Sequence, residues 1–270
     1  MVSLELEARL DNLLATAQEE TKDVDLFAPI PKTEECPICL VLLPINEGGG
    51  HNTSFHTCCG KTICDGCTYQ EVLSCMENGE SPNEHKCAFC RQPQPKNYIK
   101  SLKKLMKKNN PDAFMDMAFR YKEGDEVIQS ETKALEMYIY AAELGHTEAF
   151  GYIGQYYERD IGVEQDISKA LEFYEMGAKK GSIGSHKELA RFYGTNGDMM
   201  KGIKHLKVTA RAGDKKSMDA LMIFYKKKKL LSKEELSQTL RVFQASSDEM
   251  KSEDRNASSF IQSLVDQTGS

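Results

Sequence analysis

The sequence predicts a mostly α protein in two parts, a small irregular cysteine-rich module followed by a solenoid of α-helical hairpin repeats. Two observations carry that prediction. All nine cysteines of the 270 residues fall between Cys36 and Cys90, and from about residue 111 onward the chain repeats itself with a period of 32 to 36 residues. A third observation bounds the class: no run of about 18 apolar residues exists, so no membrane-spanning helix is expected.

Length and composition agree with this division. The chain is long enough for roughly two domains, and 40% hydrophobic content supports ordinary cores. Its N-terminus carries acids where a secretory signal needs a basic start and an apolar stretch. A soluble intracellular protein of cytoplasm or nucleus, with no membrane partner, is expected. The net charge of -6 is concentrated in residues 1–35, with nine acids against three bases.

Residues 1–34 form the acidic N-terminal segment. Leu4, Leu6, Leu10, Leu13 and Leu14 fit one amphipathic helix, which Pro29 and Pro31 bring to an end. Such a helix is marginal alone, and it reads either as a frayed tail or as a docking helix for a partner.

Residues 35–95 form the cysteine module, written Cys36-Pro37-Ile38-Cys39, Cys58-Cys59, Cys64-Asp65-Gly66-Cys67, Cys75 and Cys87-Ala88-Phe89-Cys90, and closed by Pro93 and Pro95. A C-x-x-C unit puts two thiolates on a tight turn where both reach one tetrahedral zinc at about 2.3 Å. Clustered cysteines in a reducing compartment favour metal over disulfides, and an odd count argues against a closed disulfide framework.

Residues 96–110 read as a basic connecting helix, with Lys96, Lys100, Lys103, Lys104, Lys107 and Lys108 and no acid among them. A basic stretch can serve nucleic acid. Here a solvated face is the better reading, because the chain lacks a C-x-x-C with H-x-x-x-H finger, an interleaved aromatic set and a basic domain.

Residues 111–245 carry the repeats. Tyr121, Tyr157, Tyr193 and Tyr225 recur at intervals of 36, 36 and 32, and Gly145, Gly181 and Gly213 at 36 and 32. Lys133-Ala134, Lys169-Ala170 and Lys201-Gly202 keep the same register, as do Ala142, Ala178 and Ala210. Each unit predicts two antiparallel helices. Small residues such as Ala113, Ala149 and Gly154 let backbones approach, tyrosines fill the gaps, and glycine suits the left-handed position past a helix end. The connection Gly162-Val163-Glu164-Gln165-Asp166 is longer than Asn196-Gly197-Asp198, which accounts for the shorter third interval. Residues 246–270 are expected to cap the array with a final helix, over about 252–266, and a tail.

Two resemblances follow from these residues. The second unit, with Ala149, Gly154, Tyr157, Gly162-Val163, Asp166, Lys169-Ala170, Ala178 and Gly181, resembles the Sel-one-like repeats, a branch of the tetratricopeptide-related solenoids. That resemblance implies a concave surface binding a protein or peptide. The cysteine series resembles a RING finger. By that resemblance Cys36, Cys39, Cys64 and Cys67 hold one structural zinc, and Cys87 and Cys90 supply half of a second. Lys61 stands where the family commonly has a ligating histidine, and its ammonium has no lone pair to give. Cys58 with Cys59 is the expected replacement pair, His56 is the substitute, and a weakened or empty second site is the alternative. Cys75 reads as a buried small residue, and His51 and His85 as bystanders.

The RING resemblance also implies a function: recruitment of a ubiquitin-conjugating enzyme through Ile38, the adjacent Leu40, and Arg91, whose planar fork can bond two partners at once. Ala88 stands where a proline is common. The expectation is a ubiquitin-protein ligase with two structural zinc ions, no catalytic side chain and no covalent cysteine intermediate, acting by positioning, with partners chosen by the repeats. The alternative is a non-catalytic, zinc-stabilised adaptor.

Overall fold

The computed structural model describes residues 4–32, 34–43, 53–79, 86–228 and 230–252. His51, His85 and the expected final helix from residue 253 onward lie outside them. The chain divides into two compact units, Met1–Pro31 with Asn109–Gln244 and Lys32–Lys108 with Ala245–Ser270.

The first unit is a helical-hairpin solenoid. Helices α4 (Pro111–Glu123) and α5 (Glu131–Glu143), α6 (Thr147–Arg159) and α7 (Ile167–Lys179), and α8 (Ile183–Thr195) and α9 (Met199–Arg211) pack as hairpins. α10 (Lys215–Ile223) continues the series through a π-helical turn, Phe224–Lys228, to α11 (Lys233–Glu249). Local chemistry sets these limits. Side chains of Asn110, Ser130, Asp166, Ser182, Asp198 and Asp214 accept hydrogen bonds from the backbone N–H three residues on, satisfying donors that a helix start leaves open.

The helix ends repeat as faithfully. Gly145, Gly181 and Gly213 take φ of 92°, 92° and 104°. Their N–H groups donate to Ala142, Ala178 and Ala210 at 3.0, 3.0 and 2.9 Å, while the next residue's N–H reaches one residue further back. This closing motif needs a left-handed residue, which glycine adopts without steric cost. The connection over 160–166 is longer than that over 196–198, as the intervals in the sequence require.

Packing follows the small residues. Ala113, Ala134 and Ala149 are fully buried and Ala142, Ala170 and Ala178 nearly so. The recurring tyrosines fill less of the core than their period suggests. Tyr157 is buried, but Tyr121 and Tyr193 are only half-buried. Each carries a lysine ammonium of the following helix over its ring, from Lys133, Lys169 and Lys201 at 5.5, 5.6 and 5.1 Å. The largest fully buried side chains are Tyr138, Tyr174, Phe150 and Phe173.

The N-terminal segment departs from the frayed-tail reading. Helix α1 (Leu4–Glu20) buries Leu6, Leu10, Leu13, Leu14 and Ala17 and packs on α5 and α7. The leucine stripe finds an apolar face within the same unit, which supplies the burial a lone helix lacks.

The second unit holds a two-stranded antiparallel hairpin, β1 (Thr53–His56) and β2 (Lys61–Cys64), then α2 (Asp65–Glu77) and α3 (Tyr98–Met106). No described helix is long and apolar enough to cross a membrane.

Candidate metal centre

The core of the cysteine module is made chiefly of sulfur. Cys36, Cys64 and Cys87 are buried with Leu43 and Ile63, and Cys39, Cys58, Cys59, Cys67 and Cys90 pack around them. Two C-x-x-C turns are built alike. In one, the Cys36 N–H donates to Val41 O and the Leu40 N–H to Cys36 O, both at 2.9 Å; in the other, Cys87 N–H donates to Gln92 O at 2.8 Å and Arg91 N–H to Cys87 O at 2.9 Å. An isolated bridge flanks each turn, Glu35 with Leu42 and Lys86 with Pro93. The third pair is mounted differently: Cys64 ends β2 and caps α2, whose first turn presents Cys67. Cys58 and Cys59 stand in the turn between the strands, which Gly60 completes at φ 71°.

These mounts bring eight cysteines into two tetrads, Cys36, Cys39, Cys64 and Cys67, and Cys58, Cys59, Cys87 and Cys90, with all ligand atoms of each within 4.8 Å of one another. The pairing is interleaved along the chain. A tetrahedral zinc with sulfur at about 2.3 Å requires S···S separations of about 3.8 Å. Cys36–Cys67, Cys39–Cys64, Cys58–Cys59 and Cys59–Cys87 lie 3.9, 3.8, 4.0 and 3.9 Å apart, with Cys58–Cys90 shorter at 3.4 Å. All nine cysteines are free thiols.

The electrostatics fit a cation. Burial and the neighbouring thiols push Cys58 and Cys67 well above the usual thiol range and Cys59 up to about 11. Cys36 goes the other way: although burial opposes ionisation, backbone groups at Cys39, Cys64 and Ile38 and the Cys64 side chain hold it down to about 7. Four crowded thiols resist ionising together unless a positive charge lies among them. Each tetrad can hold one metal ion, and an all-sulfur tetrahedral set suits zinc.

The remaining candidates fall outside the tetrads. His56 is buried and turns its Nε2 toward Thr68 Oγ1 at 3.4 Å. Lys61 is exposed in β2, and Cys75 is buried in α2. Ile38 and Leu40 are 39% and 70% exposed on the first turn, and Phe89, in the place that Ile38 has on the other turn, is 44% exposed. The signal for Phe89 in the sequence is the alignment of Cys36-Pro-Ile-Cys39-Leu40 with Cys87-Ala-Phe-Cys90-Arg91. Arg91 donates to both carboxylate oxygens of Glu71 in α2, at 2.8 and 2.6 Å. No local pattern signals that pair, because twenty residues separate the partners.

Comparison with known proteins bears on the first unit. Residues 111–146 and 152–182 match the model of the Sel1 repeat. Those hairpins are Sel1 repeats. The chain is similar to a Sel1 repeat protein from Oxalobacter formigenes, with 25% identity over 66% of this chain and 71% of that one and a TM-score of 0.48. It is also similar to a protective antigen of uropathogenic Escherichia coli strains displaying an SLR fold, with 22% identity over 73% of this chain and 42% of that one and a TM-score of 0.45. No curated protein matches the chain. The Sel1 repeats mark the array as a protein-interaction solenoid.

Proposed function

We propose that the chain is a RING-type ubiquitin-protein ligase. One structural zinc in each tetrad holds a small docking surface, and the Sel1 array holds a substrate or partner. The observation that carries this reading is the pair of positive-φ residues directly after the two C-x-x-C turns, Leu40 at 58° and Arg91 at 57°. A left-handed backbone costs an ordinary residue roughly 1–2 kcal/mol, and glycine is the usual occupant. Here an exposed leucine and an exposed arginine stand instead, beside exposed Ile38. Strain kept for the sake of exposed side chains points to contact with a partner.

The ions would close the cysteine sets and fix the turns, and in sites with four protein ligands they polarise no substrate. Ile38 and Leu40 offer apolar area to a ubiquitin-conjugating enzyme, and Arg91 offers a planar set of donors to the enzyme and its ubiquitin thioester. Rate enhancement then comes from orientation and proximity. The setting is cytoplasm or nucleus, where thiols stay reduced.

An autoubiquitination assay over a panel of conjugating enzymes tests this, with Ile38→Ala and Arg91→Ala each lowering chain formation at least tenfold. Absence of chains with every enzyme would sink it. The ion pair between Arg91 and Glu71 favours a second reading, a non-catalytic zinc-stabilised adaptor, because the arginine is already engaged. Glu71→Gln separates the two: releasing Arg91 raises chain formation in a ligase and changes nothing in an adaptor.

A further inference from the structure

Helix α1 lies on the array as a ligand lies on a receptor. Its inner stripe is apolar, and its flanks are tied to the second helices of successive repeats by ion pairs. Asp11 pairs with Lys169 at 2.9 Å, Glu20 with Lys180, and Arg9 with Glu143 at 2.7 Å. Arg9 also covers the Tyr140 ring at 4.0 Å, and Gln18 donates to Glu172 at 3.2 Å. Beyond the helix the strand of chain continues along the same side. Thr21 meets Met176, Phe27 packs on His205 with ring centroids 4.9 Å apart under Lys204, and Pro31 lies against Gly181.

The array does not need this segment to complete its repeats. Hairpins α4–α5, α6–α7 and α8–α9 pack on one another directly, and the Sel1 match begins at residue 111. Chain order separates the segment from the repeats as well, since residues 32–108 belong to the other compact unit. Charge sets the pairing: Lys169 of α7 and Lys180 just past its end meet acids of α1, in a segment, residues 1–31, that carries seven acids against two bases.

We infer that the face made by α5 and α7 is a binding site for acidic amphipathic helices, and that residues 1–31 occupy it in cis. The partner it fits is a helix with leucine-like residues at the spacing of Leu6, Leu10, Leu13, Leu14 and Ala17 and acids at the places of Asp11 and Glu20. A tethered segment acts at an effective concentration on the order of millimolar, so an outside helix gains access only when α1 is weakened or outcompeted. This inference goes beyond the ligase reading and stands whether or not the cysteine module recruits an enzyme.

The test uses the full chain and a fluorescently labelled peptide of residues 1–31. Two variants release α1: Leu10→Asp with Leu13→Asp, and Asp11→Lys with Glu20→Lys, the second changing only exposed side chains. Both should bind the peptide at least tenfold more tightly than the wild-type chain, and Lys169→Glu with Lys180→Glu added to either should reduce that binding at least tenfold. Equal binding by wild type and both variants, or no binding by variants that keep the wild-type helical signal, would overturn the inference. Loss of cooperative melting in both variants would assign α1 to the core of the array and overturn it equally.

Discussion

Leu40 and Arg91 hold the same left-handed backbone, at φ 58° and 57°, each directly after the last cysteine of a C-x-x-C turn and each donating its N–H to the turn's first cysteine at 2.9 Å. Neither is a glycine, and both are exposed. If the side chains serve a partner, removing them should leave the module's stability nearly untouched. Leu40→Gly and Arg91→Gly relieve the strained φ but gain freedom in the unfolded chain, so the net change should stay within about 1 kcal/mol. Thermal melts of the zinc-loaded protein measure this. A loss above about 2 kcal/mol, the size expected for a structural role, would contradict a surface kept for binding.

Metal removal should dissolve the cysteine module and spare the array. Among the described residues, the module's core has Leu43 and Ile63 as its buried apolar side chains besides cysteine, less than a domain of this size needs to fold alone. The array has its own extensive core. A chelator should therefore abolish structure over 35–95, read by amide exchange, while the helical signal at 222 nm falls only slightly. Metal analysis should give two zinc ions per chain, and one after Cys58→Ser with Cys59→Ser. An unchanged count in that variant would remove the second tetrad from the assignment.

Two glycine-to-alanine changes in the array should have opposite signs. A Cβ on Gly154 would lie 2.6 Å from the Tyr174 ring, whereas one on Gly194 would meet nothing nearer than Met199 at 4.0 Å. Gly154→Ala forces apart a buried contact and should cost about 1–3 kcal/mol. Gly194→Ala, in helix α8, should stabilise by up to about 1 kcal/mol. Urea midpoints distinguish them.

Tyr138 and Tyr174 occupy equivalent places but differ in their hydroxyls. Tyr174 donates to Glu158 at 2.8 Å, and burial with that carboxylate pushes its pKa far up. The Tyr138 hydroxyl is buried with no hydrogen-bond partner among the described residues, because Lys122 stands where the second repeat has Glu158. Tyr174→Phe removes a hydrogen bond to a carboxylate that Arg191 still pairs, and should cost about 1–3 kcal/mol, while Tyr138→Phe should be neutral or stabilising. Equal losses in denaturation midpoints would disprove the distinction.

The array should weaken in mild acid. His186 and His205 are buried with their Nδ1 atoms 2.9 Å apart. Burial lowers His186 to about 4, and burial together with His186 lowers His205 to about 3. The rings of Phe27 and Tyr193 pack on His205. Unfolded imidazoles titrate near 6.5, so below that pH the unfolded chain takes up protons that the folded one refuses. Stability is full above about pH 6.5 and falls as pH approaches 4, by on the order of 3 kcal/mol for His186 alone. Urea midpoints at pH 7 and pH 4.5, read from the helical signal, check this; identical midpoints would refute it.

Much of this was legible beforehand because short-range rules govern it. The C-x-x-C pairs, Gly145, Gly181 and Gly213, and the longer connection before Asp166 are all read from neighbours within a few residues, where turn geometry and capping act. The alignment that marks Tyr157 as recurrent could not say how deep it lies, since depth depends on the adjacent hairpin. Hence Tyr138 and Tyr174, the larger contributors to the core, went unnoticed.

The sequence by itself determined the repeat period, the glycines that close the helices and the spacing of the eight cysteines that two tetrads gather, because each depends on residue type at fixed spacing. Only the tertiary structure decided which contacts joined across long stretches of chain. It set Arg91 against Glu71, turned His56 to Thr68 while Cys58 and Cys59 completed the second tetrad, and laid the leucines of α1 on α5 and α7. Those choices depend on shape and charge meeting in space, and no local spacing encodes them.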